Sequence, residues 1–139
     1  MSNFRDLYII RWLLQNTEEP TGTITWQRRD YGMYFANFYE GKNRVHIEAG
    51  IINSLIGGRV DIKFTSPGLG EVHVQEPYPK LFSKKYESED DGELAKTMRR
   101  LLATIGSQHA KREIREIENE EERRQAIFQR LISGGNSNA

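Results

Sequence analysis

Arg59-Val60-Asp61-Ile62-Lys63-Phe64 places an apolar side chain at every second position. Successive side chains of an extended chain point to opposite faces, so this pattern predicts a strand with one dry and one wet face. The same alternation appears in Thr23-Ile24-Thr25-Trp26, Tyr34-Phe35-Ala36-Asn37-Phe38, Arg44-Val45-His46-Ile47-Glu48 and Glu71-Val72-His73-Val74. Turn-forming residues separate the runs: Asp30-Tyr31-Gly32, Glu40-Gly41-Lys42-Asn43 and Ser66-Pro67-Gly68-Leu69-Gly70. Consecutive strands with short connections pair antiparallel, so residues 22–77 predict a meander of about five strands.

Within it, the first hairpin is expected to join residues 23–29 to residues 33–39. Residues 49–58 break the alternation. Ile51, Ile52, Leu55 and Ile56 read as a short helical turn or an apolar loop ended by Gly57-Gly58. Glu76-Pro77-Tyr78-Pro79 stops the last strand, since proline cannot continue a ladder.

Outward from the sheet, residues 1–17 predict a helix. Asn3 suits an N-cap, and Asp6 sits in the first turn, where the helix dipole favours an acid. Phe4, Leu7, Tyr8, Ile10, Trp12, Leu13 and Leu14 occupy more than one stripe. The ordinary use of such a helix is to cover its own sheet; the alternative is contact with another chain. Pro20 and Gly22 end it near Asn16-Thr17.

Residues 90–133 predict a C-terminal helical segment, with Asp90 and Glu93 resembling a capping box at its start. Leu94, Met98, Leu101, Leu102 and Ile105 recur at helical spacing. Gly106-Ser107 interrupts the strong helix formers, and the stripe then shifts to Ala110, Ile114 and Ile117. Residues 118–125 carry no apolar side chain, and Asn119 with Glu122 is a second possible cap. One long bent helix and two helices parting near Asn119 both fit. Ile127, Phe128, Leu131 and Ile132 form a last apolar patch before a tail, residues 134–139, expected to fray. The whole is expected to be a single α+β domain, 1–139: an N-terminal helix, an antiparallel sheet, and a long C-terminal helix packing on one side and extending beyond the sheet.

The length of that last segment carries the functional expectation. At 1.5 Å per residue, residues 91–133 would run about 60 Å, against roughly 20 Å for a strand. Ile114, Ile117, Ile127, Phe128, Leu131 and Ile132 are therefore the candidate oligomer interface. A dimer or higher homo-oligomer, or a docked protein partner, would shelter them; a helical hairpin folding back on its own subunit is the competing arrangement.

Composition narrows the chemistry. The chain has 139 residues, 37% hydrophobic and 29% charged, with a formal net charge of +0. A general nucleic-acid binder would show a basic excess. There is no cysteine, which removes thiolate nucleophiles, thiolate metal sites and disulfides. Arg5 and Asp6 come too early for a signal peptide, and no apolar run approaches the roughly 20 residues of a membrane span. A cytoplasmic, membrane-free protein is expected.

No nucleophile elbow, His-Glu-x-x-His stretch or phosphate loop occurs. His46, Glu48 and His73 would form a two-histidine, one-carboxylate set only if their strands were neighbours. No catalytic residue, metal or cofactor is expected. The most suggestive set mixes arginine with tyrosine: Arg28, Arg29, Tyr31, Tyr34, Arg44, Arg59 and Lys63. On one sheet face such residues can stack a base or hold a phosphate. That makes a small phosphate-bearing, nucleotide-like ligand at a subunit cleft one expectation and single-stranded RNA an alternative, with Glu48, Asp61 and Glu71 diluting any positive field. Size and layout resemble small accessory proteins of bacteria or their phages, although no motif carries that resemblance. The expected function is a non-enzymatic binding or interaction protein.

Overall fold

The computed structural model describes residues 4–18, 22–29, 32–54, 57–68 and 70–137. The expectations for Asn3, Tyr31, Leu55 and Ile56 lie outside the described residues. The chain divides into two units, residues 1–108 and 109–139.

The first unit holds the sheet. Helix α1 (Phe4–Thr17) is followed by β1 (Gln27–Arg28), β2 (Tyr34–Glu40), β3 (Asn43–Ser54), β4 (Gly57–Ser66) and β5 (Gly70–Gln75). The strands pair antiparallel in the order β1-β2-β3-β4-β5, a plain meander. Helix α2 (Glu89–Ser137) closes the chain. The α+β architecture agrees with the reading of the sequence.

The register follows the alternation. Ile47 lies opposite Phe64 and Ala36, Ala49 opposite Ile62, and Ile62 opposite Val74. These residues form two adjacent rows on one face of the sheet, Ala36-Ile47-Phe64 and Ala49-Ile62-Val74. They join Leu7, Ile10 and Leu13 of α1 and Leu94, Met98, Leu101 and Ile105 of α2 in a single core cluster. Both helices thus dry the same sheet face, and Trp26 is fully enclosed with them.

Four details depart from the sequence reading. Residues 49–54 continue β3, and residues 57–58 begin β4, in place of a helical turn or loop. Ladder pairing with β4 supplies their backbone hydrogen bonds, from Ala49↔Ile62 out to Ser54↔Gly57. Gly50 belongs to this run because Met33 crosses it: a Cβ there would overlap the Met33 sulfur.

The first strand is shorter than expected, only Gln27–Arg28. Residues 22–26 spend their backbone groups elsewhere. Ile24 N–H donates to the Asn16 carbonyl (2.9 Å). Gln108 accepts from Trp26 N–H (3.0 Å) and donates to the Ile24 carbonyl (2.9 Å), acting as a side-chain substitute for a neighbouring strand. Trp26 Nε1 donates to Thr17 Oγ1 at 3.0 Å, and that hydroxyl donates to the Leu13 carbonyl at 2.7 Å.

The start of α2 is set by Ser88, not Asp90. Asp91 N–H donates to Ser88 Oγ (3.2 Å) and Gly92 N–H to the Ser88 carbonyl (3.3 Å). Ser88, with an acid three residues on, is the better cap, because its hydroxyl reaches an orphan amide of the first turn.

Finally, α2 continues as far as Ser137, in place of a tail fraying from residue 134; it is one helix of 49 residues through Gly106-Ser107 and Asn119, which is one of the two arrangements the sequence allows. The Tyr34 hydroxyl reaches the helix at Gly106, where a Cβ would meet it at an ordinary contact distance of 3.5 Å. No helix among the described residues is long and apolar enough to cross a membrane.

Candidate functional site

Three surfaces carry the residues singled out by the sequence. The first is the polar face of the sheet. Arg44, His46, Glu48, Asp61, Lys63, Glu71 and His73 share it, because each is offset by one from the buried rows. Strand order puts β4 between the two histidine strands, and each histidine finds local partners. His46 Nδ1 meets Asn37 Oδ1 at 2.9 Å, and its Nε2 meets Glu48 Oε1 at 3.2 Å. His73 Nε2 meets Glu71 Oε1 at 2.6 Å, with Asp61 Oδ1 3.5 Å from its Nδ1. The second distance is an ion-pair contact only, since Asp61 Oδ1 is buried and has no hydrogen-bond partner. Among the described residues no group of three or more His, Asp or Glu side chains could hold a metal ion.

These pairings shift the titrations. Burial pushes the Glu48 carboxyl up, but the His46 hydrogen bond and the charges of Arg29 and Lys63 outweigh it and hold it below the usual range. The His73 hydrogen bond, then the Lys63 charge, lowers Glu71. Glu71 in turn raises His73, with Asp61 adding to the effect against a smaller desolvation cost.

The arginine–tyrosine set is divided by the fold. Arg28 lies opposite Tyr34 in the ladder, and Tyr34 belongs to the helix-covered face, packed on the core. Arg29, Arg44, Arg59 and Lys63 are not gathered with them. Arg29 pairs with Glu48 at 2.8 Å and lies over the Phe35 ring. Arg44 Nε donates to Asn37 Oδ1 at 3.2 Å. Lys63 lies 3.8 Å from Glu71. Arg59 Nε donates to the Glu76 carbonyl at 2.6 Å and its guanidinium stacks 4.4 Å from the Tyr78 ring centroid. Each of these cations thus has a partner: an acid for Arg29 and Lys63, an amide oxygen for Arg44, and a carbonyl and a ring for Arg59.

The second surface is a groove of about 550 Å³ between α1 and the helix-side sheet face. Trp12, Phe38, Val45, Phe64 and Val72 line it, with Trp12 and Phe38 ring centroids 5.5 Å apart. Ser66 also lines it; its Oγ is buried and has no hydrogen-bond partner.

The third surface is the helical second unit. Ile114, Ile117, Ile127, Phe128, Leu131 and Ile132 are 55%, 65%, 54%, 64%, 69% and 51% exposed. Arg124 pairs along the helix with Glu120 at 2.9 Å. At about 100° per residue, Ile114, Ile117, Phe128 and Leu131 fall within an arc of roughly 100°. Ile132 falls in the same arc, at the azimuth of Ile114, and Ile127 lies about 40° outside it.

Sequence reasoning missed two residues that organise the first unit. Glu76, read only as part of a strand stop, is a buried acid with two partners: Oε1 accepts from Val60 N–H (3.0 Å) and Oε2 from Arg99 Nε (2.7 Å). Gln108 is the other, as described above. Neither lies in a local pattern; their partners are 16 to 84 residues away.

No family model, curated protein or solved structure matches this chain.

Proposed function

We propose that this chain is a non-enzymatic interaction protein that works by self-association, two copies joining through the apolar stripe of α2 in residues 109–139. The observation that carries the reading is the stripe itself: six large apolar side chains, each more than half exposed. Fully burying one such side chain is worth about 1.5–3 kcal/mol. Large apolar side chains gathered on one exposed helix face, here in two clusters either side of residues 118–125, mark a contact surface. A second copy is the occupant favoured here, because the formal net charge of +0 leaves little repulsion between copies.

A phosphate-bearing ligand or single-stranded RNA on the polar sheet face is the weaker reading. Arg29 and Lys63 would have to give up Glu48 and Glu71 to receive a phosphate.

Light scattering coupled to size exclusion tests the reading. The expected mass at micromolar concentration is twice the 16.2 kDa of one chain. Phe128→Glu with Leu131→Glu is expected to give a monomer whose sheet signal in circular dichroism is unchanged. A wild-type chain that stays monomeric at 100 µM would overturn the proposal.

A further inference from the structure

The exposed stripe has a heptad layout with a charged middle. Taking Ile114 as position a, the a positions are Ile114, Glu121 and Phe128, and the d positions are Ile117, Arg124 and Leu131. All six are exposed. The spacing is that of a coiled-coil seam. Apolar residues occupy both ends, and an acid and a base occupy the two central positions.

Orientation then matters. In a parallel, in-register pair, Glu121 faces Glu121 of the other copy and Arg124 faces Arg124. Both central layers hold like charges. In an antiparallel pair a faces d. With the twofold axis midway between residues 121 and 124, Glu121 faces Arg124, Ile117 faces Phe128, and Ile114 faces Leu131. Every layer is then matched, and the arrangement closes on itself as an isologous dimer.

We infer that two copies of this chain pair their α2 segments antiparallel, with Glu121 of each copy against Arg124 of the other. The inference rests on the self-association proposed above and adds its partner geometry. Arg124 already holds Glu120 of its own helix at 2.9 Å. A guanidinium has five N–H donors, so it can bind that carboxylate and the Glu121 carboxylate of the second copy together. The central charges act here as a register device. They weaken the seam relative to an all-apolar one, and in exchange they disfavour the parallel alternative and slipped pairings.

Two measurements test this. The chain has no cysteine, so Lys111→Cys, at an exposed position of the same unit, takes a single spin label. In the antiparallel dimer the two labels lie about 35 Å apart along the axis, twice the rise from the twofold to residue 111. A parallel dimer puts them within roughly 20 Å, given an interaxial distance of 8–10 Å. The second measurement is a charge exchange read by sedimentation. Glu121→Arg alone sets arginine against arginine and is expected to raise the dimer dissociation constant at least about tenfold. Glu121→Arg with Arg124→Glu is expected to return it to within about threefold of wild type, because the layers are again matched.

A wild-type monomer would overturn both the self-association and its geometry. A dimer with the short label distance would overturn the antiparallel orientation alone. A dimer with the long distance, in which the double exchange is no better than Glu121→Arg, would overturn the Glu121–Arg124 register.

Discussion

Glu76→Ala tests how the first unit is held together. The Glu76 side chain is 8% exposed and joins three elements. Its Oε1 accepts from Val60 N–H in β4, its own backbone follows β5, and its Oε2 accepts from Arg99 in α2. Arg99 also donates to the Gly58 carbonyl at 3.2 Å. The Glu76 hydrogen bond raises the Arg99 guanidinium further above its ordinary range. Truncation to alanine leaves Val60 N–H, on a fully buried residue, without this acceptor, which costs about 1–3 kcal/mol. The ion-pair part is smaller. Arg99 is 56% exposed, so water can replace its partner, and a solvent-screened pair is worth about 0–1 kcal/mol.

The expected loss for Glu76→Ala is therefore about 1–4 kcal/mol. Glu76→Gln keeps the volume and the acceptor for Val60 and should lose only about 1 kcal/mol. Arg99→Met leaves a nearly dry carboxylate without its cation, and the double variant Glu76→Gln/Arg99→Met should lose less than the two singles together. Urea denaturation measures all four. With a slope of about 2 kcal/mol/M, the alanine variant should move the midpoint by about 0.5–2 M at unchanged slope. A loss under about 0.5 kcal/mol for Glu76→Ala, or a loss for Glu76→Gln equal to that for Glu76→Ala, would refute the assignment of the cost to the Val60 amide.

Two further outcomes follow from single groups. Ser66→Ala removes a buried hydroxyl that has no hydrogen-bond partner. Relief of a penalty of about 1–3 kcal/mol is partly offset by lost packing, so thermal unfolding should occur at the same or a higher temperature, and a clear drop would refute the view that the hydroxyl is unsatisfied. The polar sheet face should confer a pH dependence. His73 is raised from its ordinary 6.5, so its contribution is complete below about 6.5 and is lost as pH rises through its higher folded value. Glu48 and Glu71 are lowered from 4.5, so theirs is present above that value and is lost as pH falls through their folded values. Melting temperature against pH should thus peak in the mildly acidic range. His73→Gln should flatten the fall on the alkaline side, and an unchanged profile would count against the Glu71–His73 pair.

The elements that the sequence made legible are those whose signal is local. A period of two over Arg59–Phe64 places Val60, Ile62 and Phe64 on one side of β4, whatever that side meets. The helical spacing of Leu94, Met98, Leu101 and Ile105 marks the face of α2 that dries the sheet, and all four are enclosed. The exposed stripe from Ile114 to Ile132 was legible for the same reason.

What tertiary structure alone decided were matters of partnership across distance. Residues 49–54 have no alternation of their own and become strand because β4 supplies their hydrogen bonds. Residues 23–26 alternate well, yet none of them joins the ladder, because Gln108 and Asn16 take amides and carbonyls of this run. Tyr34 and Lys63 looked like members of one binding face, and register put them on opposite sides of the sheet. Glu76 is a short, unremarkable acid in the sequence and becomes the joint between β4, β5 and α2 only when strand pairing brings Val60 and Arg99 to it. Periodicity is a property of neighbouring residues and survives without the fold; the identity of a hydrogen-bond or ion-pair partner is a property of three-dimensional closure and does not exist before it.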